Sequence, residues 1–324
     1  MNTTRRTLAL FAAASLLFGG TFVAAKAGLD YFPPLLFVAL RFDVAAVALI
    51  AYAVATTPRA ELIPRTRGDV AGILATGVLA IGLTNALLFV GQQHATSAVG
   101  AIVFSLNPIL TPVFAAVLLA DERLSARGAA GMVLGLLGVG LVVSPDPANL
   151  LAGGVGKAIL FAGAVSGALG SVLIRWADGD LDSSVRTAWG LPFGAALCHG
   201  LSWASGESPA AITWSGEALL ALGYVGIAAG AVAYIAYFDL LDTAGAIRAN
   251  LVFYVVPVVA TLGGWALLAE SIAPTAVAGF ATIFAGFAVL GSESIDLPSI
   301  RRHVGGEEST RPPVKTEPNG FESD

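Results

Sequence analysis

Asn107 and Thr111 lie four residues apart in an apolar run, and with Gly100 and Phe104 they fall at helical spacing on a single stripe. Asn250, Tyr254 and Pro257 form a matching stripe farther along the chain, while Asn85 with Gln92 and Tyr234 with Tyr237 add further amides and phenols to apolar segments. Uncharged polar groups on one face of an apolar helix can hydrogen-bond a polar solute. They can equally bond a neighbouring helix, where each contact is worth roughly 0.6 kcal/mol. For the set as a whole, the lining of a solute path is the expected role.

Three charged residues stand out against that background. Lys26 closes the first apolar stretch, and Arg41 and Asp43 lie about eight residues into the second, near 12 Å of depth at helical rise. A charge at the centre of a bilayer costs roughly 2.5–3.5 kcal/mol on insertion scales. Arg41 and Asp43 are two apart and point to different helix faces, so they do not neutralise each other. Asp43 is expected to pair with Lys26 across the first hairpin. The competing reading is that Lys26 and Arg41 extend to the headgroups; facing a cavity instead, they would select a carboxylate or phosphate and act in charge selection or gating. A different chemistry is suggested by Ser166, within Ala164-Val165-Ser166-Gly167, and His199, which together look like a serine–histidine dyad in lipid. The plainer account is a small-residue contact at Ser166 and a headgroup-level imidazole at His199.

The elements that position these residues follow from composition. With 56 % hydrophobic and 12 % charged residues over 324 positions and a mean hydropathy of +0.80, the chain is too apolar for a soluble domain. Ten apolar stretches are long enough to cross a hydrocarbon core of about 30 Å: 8–27, 34–55, 70–91, 98–120, 128–143, 157–174, 185–204, 218–240, 246–269 and 274–291. All are expected to be helices, because an unpaired backbone group facing lipid is too costly. Cys198 is the only cysteine, which excludes disulfides and thiolate metal clusters within one chain. No metal or other cofactor is expected. No G-x-x-x-x-G-K-[ST] sequence is present and the loops are too short for an ATPase domain.

Arginines mark alternate ends of these stretches, at 5, 6, 59, 65, 67, 123, 127, 175, 186, 248, 301 and 302. The positive-inside rule then places both termini in the cytoplasm of a multi-pass plasma-membrane protein. Thr4-Arg5-Arg6 followed by Ala24-Ala25-Lys26-Ala27 also fits a twin-arginine signal, but losing that segment would break the internal repeat described next. Residues 292–324, rich in Pro, Glu, Ser and Gly, read as a disordered tail.

The chain repeats itself. Asn107-Pro108-Ile109-Leu110-Thr111-Pro112 returns as Val256-Pro257-Val258-Val259-Ala260-Thr261, with Pro108 and Pro257 separated by 149 residues. Lys26 falls opposite Arg175 and Asn85 opposite Tyr234 at that spacing, and Glu122 opposite Glu270 after a one-residue gap. Two units follow, 1–145 and 155–291, each of five spans, so the second must enter the membrane from the opposite side. Pro108 and Pro257 are expected to kink their helices as paired hinges. Glu122 and Glu270 are expected to stabilise the start of the helices that follow them. Gly131, Gly135 and Gly138, with Gly279 and Gly286, read as close helix contacts.

Lys26 at the end of span one, Pro33-Pro34 before Arg41, the Asn-Pro-Ile-Leu-Thr-Pro stretch leading to Glu122, and the glycine-rich helix after it resemble the EamA family of the drug/metabolite transporter superfamily. The resemblance covers about residues 7–291. It implies an all-α bundle of ten transmembrane helices, two inverted five-helix repeats around a central cavity, and movement of small metabolites such as amino acids. The second half departs from the pattern, since Gly190 stands opposite Arg41, so charge recognition is expected to be one-sided. Secondary active transport by alternating access, with export as the expected direction, is the leading reading. An intramembrane serine hydrolase and a membrane sensor or lipid-handling protein are the alternatives. The expected partners are a small-molecule solute and the lipid bilayer, with a homodimer left open and no nucleic acid. A protease-cleavable tag at the C-terminus should resist protease added to intact spheroplasts and be cut after lysis; cleavage from outside would reverse the assigned orientation.

Overall fold

The computed structural model describes residues 3–119, 126–143, 154–244 and 252–291, and all of their regular structure is helical. In chain order the helices are α1 (Thr3–Gly28), α2 (Pro34–Thr56), α3 (Arg67–Gln92), α4 (Ser97–Leu118), α5 (Ala126–Val143), α6 (Gly154–Ala177), α7 (Ser183–Ala204), α8 (residues 216–244), α9 (Val252–Leu268) and α10 (Pro274–Gly291). Six of them, α1, α2, α3, α4, α6 and α8, are long and apolar enough to cross a membrane. Residues 120–125, 144–153, 245–251 and 292–324 lie outside the described residues.

Local chemistry sets the helix starts. Pro34 opens α2, where a missing N–H costs nothing. Thr66 and Asp69 form a reciprocal capping box at α3, with Asp69 N donating to Thr66 Oγ1 and Thr66 N to Asp69 Oδ2, both at 2.9 Å. The outer surface is apolar in the manner of a lipid-facing protein, with Leu8, Val47, Leu220, Leu267 and Val277 exposed. All five tryptophans are exposed as well. Trp203, Trp214 and Trp265 sit toward the end of the bundle that holds the α1–α2 connection, and Trp176 and Trp189 toward the other, as in an aromatic belt at each interface.

The helices of one half pack chiefly on those of the other. α1 lies on α8 and α9, and α6 on α3 and α4. α2 lies on α7 and α8, and α7 on α2 and α3. Replacing each helix by its counterpart five places away leaves this set unchanged. Counterparts that touch run antiparallel: along α2 and α7, Leu36 meets Glu207 and Asp43 meets His199, so one index rises as the other falls. α5 and α10 behave the same way, with Gly138 against Gly279 and Gly131 against Gly286. The glycine ladders are therefore backbone-to-backbone contacts between counterpart helices.

Two features of this interface also recur at the 149-residue spacing. α3 and α8 each contain a nine-residue π-helical stretch, Ala75–Leu83 and Tyr224–Val232. The wider π turn changes which carbonyls meet a donor. In α3, Leu79 O accepts from Thr84 Oγ1 at 2.7 Å and from Ser166 Oγ of α6 at 3.0 Å. Gly77, in the first stretch, rests against Gly190 and Phe193 of α7, while Gly226, in the second, rests against Arg41 O and Val44 of α2. These are the same three positions in each half.

Proline acts differently in the two halves. Pro108 cannot donate to Phe104 O, and α4 breaks there into Ser97–Phe104 and Asn107–Leu118. The break tightens into i→i−3 bonds, Leu106 N to Val103 O at 3.2 Å and Ile109 N to Leu106 O at 2.8 Å. Pro108 thus opens the second segment of an interrupted span. Pro257 sits inside α9, which is unbroken from Val252 onward.

A Cβ added at Gly77 would collide with the Gly190 carbonyl, whereas one at Gly200 of α7 would meet nothing within 4 Å. Gly77→Ala should lower the thermal midpoint of the detergent-solubilised protein, at an overpacking cost of about 1–3 kcal/mol. Gly200→Ala should leave it unchanged or raise it, by up to about 1 kcal/mol in stability. Equal midpoints for the two variants would refute the close contact.

Candidate binding site between the two halves

Arg41 points from α2 into the bundle and is only 3 % exposed. Asn85, just beyond the π stretch of α3, anchors its amide nitrogen on Ile81 O at 2.8 Å. Its Oδ1 is then free to accept from Arg41 Nη1 at 3.1 Å. The Phe89 ring lies 5.5 Å from Arg41 Cζ, at cation–π distance. The Arg41 carbonyl lies against Gly226 of α8, in the other half. Asn85 of the first half and Gly226 of the second thus both touch this residue. The guanidinium therefore lies close to the junction of the halves.

Lys26 and Asp43, grouped with Arg41 by sequence, are held elsewhere and not by each other. Asp43 Oδ2 meets His199 Nε2 at 2.9 Å, on an exposed surface where α2 and α7 cross. Lys26 Nζ donates to Gln92 O at 2.6 Å. The expected Lys26–Asp43 pair is thus replaced by two separate contacts, because Lys26 continues the inward face of α1 (Phe18, Phe22, Lys26) while Asp43 lies on the outer face of α2. Around Lys26 the contacts form a layer at the α1–α2 end. Phe22 O accepts from Gln92 Nε2 at 3.0 Å and Ser97 Oγ at 3.2 Å, and Ser97 N donates to both carboxylate oxygens of Glu270 at 3.0 and 3.1 Å. Glu270 therefore caps α4 of the other half and not the helix that follows it; Ala269 before it has φ 53°, which turns the chain back toward α4. Glu122 lies outside the described residues.

Glu207 plays a similar part at the start of α2, accepting from Leu35 N at 3.1 Å and Leu36 N at 2.7 Å. At the opposite end, Asp69 Oδ1 accepts from Asp180 N at 2.8 Å and Leu181 N at 3.2 Å, and Arg6 pairs with Asp239 at 2.7 Å. Both ends are thus tied across the halves by carboxylates.

The remaining predicted residues fall into two groups. Tyr234 and Tyr237 meet Phe18 edge-on, with centroids 5.2 and 6.0 Å away, and Phe253 stacks on Phe18 at 6.2 Å. Phe104, the counterpart of Phe253, meets Phe22 edge-on at 6.0 Å. Asn107 of α4 and Thr84 of α3 both lie against Gly167 of α6, and Thr111 Oγ1 donates locally to Asn107 O at 2.8 Å. Asn250 lies outside the described residues, and of Tyr254 and Pro108 only the helical backbone is described. Among the described residues, buried polar atoms without a hydrogen-bond partner include Arg41 Nε, Gln92 Oε1 and Asn107 Oδ1, all on residues singled out by sequence. Two surface depressions, at 265–272 and 64–74, touch none of these residues. The proposed dyad is not assembled: Ser166 Oγ donates to Leu79 O and His199 is bound to Asp43.

Sequence reading missed Phe18, Phe22, Phe89 and Glu207, and assigned Glu270 to the helix after it and not to α4. Phe18, Phe22 and Lys26 recur at steps of four on α1, a signal the sequence did carry.

Helical throughout its described regular structure, sheathed in apolar side chains and built of two interlocked halves, the chain is a multi-pass membrane protein. Residues 5–144 and 155–292 each match the EamA-like transporter family, and the chain belongs to that family. It is 25 % identical to the Bacillus subtilis protein named uncharacterized transporter YoaV, covering 84 % of this chain and 92 % of that one. It is 28 % identical to the Escherichia coli K12 protein named uncharacterized inner membrane transporter YedA, covering 83 % and 86 %. One crystal structure shares the fold with a TM-score of 0.62 at 24 % identity, covering 90 % of this chain and 99 % of its own.

Glu270→Ala would leave Ser97 N without its acceptor. The loss should be about 1–3 kcal/mol, seen as a lower thermal midpoint, with Glu270→Gln retaining part of it. An unchanged midpoint in Glu270→Ala would remove this contact from the list of those that hold the halves together.

Proposed function

We propose that the chain is a secondary active transporter of small metabolites. In this reading ten spans form two inverted repeats, both termini are cytoplasmic, and the halves rock about a site at their junction in the plasma membrane. The observation that carries it is the self-mapping of the helix contacts when the halves are exchanged, with touching counterparts antiparallel. Such an arrangement has two conformations of similar energy related by the exchange, which is the requirement for alternating access.

The carboxylate contacts at the two ends are suited to serve as latches. Glu270 on Ser97 and Glu207 on Leu36 tie the end with few arginines, while Asp69 on the α6–α7 loop and Arg6 on Asp239 tie the arginine-rich end. A charge-assisted hydrogen bond contributes about 1.5–3 kcal/mol. Solute binding that favours one state by a few kcal/mol is enough to open one set while the other holds. Export is the expected direction, driven by a gradient and not by nucleotide hydrolysis.

The test is a metabolite export and uptake screen in cells with and without the chain, followed by flux in liposomes for wild type, Asn85→Ala and Asn107→Ala. Both variants should lose tenfold or more in flux, a loss of about 1.4 kcal/mol or more in transition-state binding, and Asn107→Ala, whose Oδ1 has no partner to lose, should keep the wild-type thermal midpoint. A reconstituted wild type that moves no solute, or moves it only with ATP hydrolysis by this chain, would sink the reading. Full flux in both variants would move the site away from these amides.

A further inference from the structure

The charged residues of the first two helices do not share one fate. Lys26 is taken by Gln92 O and Asp43 by His199, but Arg41 makes a single side-chain hydrogen bond, from Nη1 to Asn85. Its Nε is buried without a partner, Nη2 bonds no described residue, and among the described residues no carboxylate lies within ion-pair distance. A buried guanidinium left in this state pays the cost of desolvation without the return of an ion pair. Such an arrangement destabilises the protein alone and is offset when a ligand supplies the missing charge.

The open atoms are specific. Nε and Nη2 make up one edge of the guanidinium, and that edge grips a carboxylate through two parallel hydrogen bonds. Asn85 holds the remaining nitrogen and Phe89 lies beside the fork, so its orientation is set before a ligand arrives. Gly190, the counterpart of Arg41, contributes no second cation at the junction. We propose that the Nε–Nη2 edge of Arg41 is the docking point for one carboxylate of the transported solute, so that the chain selects small carboxylates, including zwitterions, over the corresponding amines. The proposal rests on the transporter reading and narrows its substrate class.

The test uses the full chain in detergent and in liposomes. Thermal unfolding is followed with the twenty standard amino acids, their 2-oxo acids, their decarboxylated amines and inorganic phosphate, for wild type, Arg41→Lys and Arg41→Gln. At least one carboxylate should raise the wild-type midpoint while its matched amine does not. Arg41→Gln should weaken that affinity about tenfold or more. Arg41→Lys, which keeps the charge but not the fork, should fall between. Without ligand, the Arg41→Gln midpoint should equal or exceed that of wild type, since a buried unpaired charge has been removed; a purely structural arginine would give a fall. The proposal is overturned if amines stabilise as well as acids, if phosphate alone or no carboxylate stabilises, or if Arg41→Gln or Arg41→Lys binds like wild type. Liposomes that move amines but no carboxylate would refute this site and leave the transporter reading standing. Liposomes that move nothing would refute the transporter reading itself.

Discussion

Close approach of backbones between the two halves is the constraint on which the rest of the architecture depends. Lipid offers no hydrophobic force between apolar helices, so association has to come from packing and from polar contacts. Gly77 against Gly190, Gly226 against Arg41 O, and Gly138 against Gly279 bring helices of opposite halves to distances that a side chain would prevent. Because these contacts sit on α3 with α7, α8 with α2, and α5 with α10, they hold the halves to each other more than they hold either half together. The π stretches belong to the same interface, since both carry one of these glycines.

Polar chemistry is then distributed by what the packing leaves available. Carboxylates near helix ends satisfy backbone N–H groups of the opposite half, which suits a region where water competes. Nearer the junction the groups are amides, phenols and one guanidinium. The aromatic side, Phe18, Tyr234, Tyr237 and Phe253, and the amide side, Asn85 and Asn107, come from positions that the repeat makes equivalent in part: Asn85 matches Tyr234, and Gly167 beside Asn107 matches Phe18. The scaffold is nearly symmetric, but the side chains at the junction are not.

Much of this was legible in the sequence. Long apolar runs, the 149-residue recurrence and the glycine ladders prescribe helices, two halves and close contacts, because length, period and side-chain size act directly on packing. The amides and Arg41 were visible as polar residues that apolar helices would otherwise exclude. The partners were not. Asp43 reaches His199, and Glu270 reaches Ser97, across more than one hundred residues of chain, and nothing local specifies such pairings. The π stretches, at Ala75–Leu83 and Tyr224–Val232, have no composition of their own that marks them in the sequence. Of the two matching prolines only Pro108 interrupts its helix, with a turn at Ser105 and Leu106, while Pro257 lies within an unbroken one.

Gly190 opposite Arg41 shows what covalent linkage of the halves makes available. An assembly of two identical subunits about the same axis would have to place an arginine in each, and two guanidinium ions facing one another in a medium of low permittivity would repel strongly. Joining the copies in one polypeptide removes that obligation. A positive charge with no equivalent in the other copy can then sit where the two halves meet, a composition that no homodimer with the same geometry is able to hold.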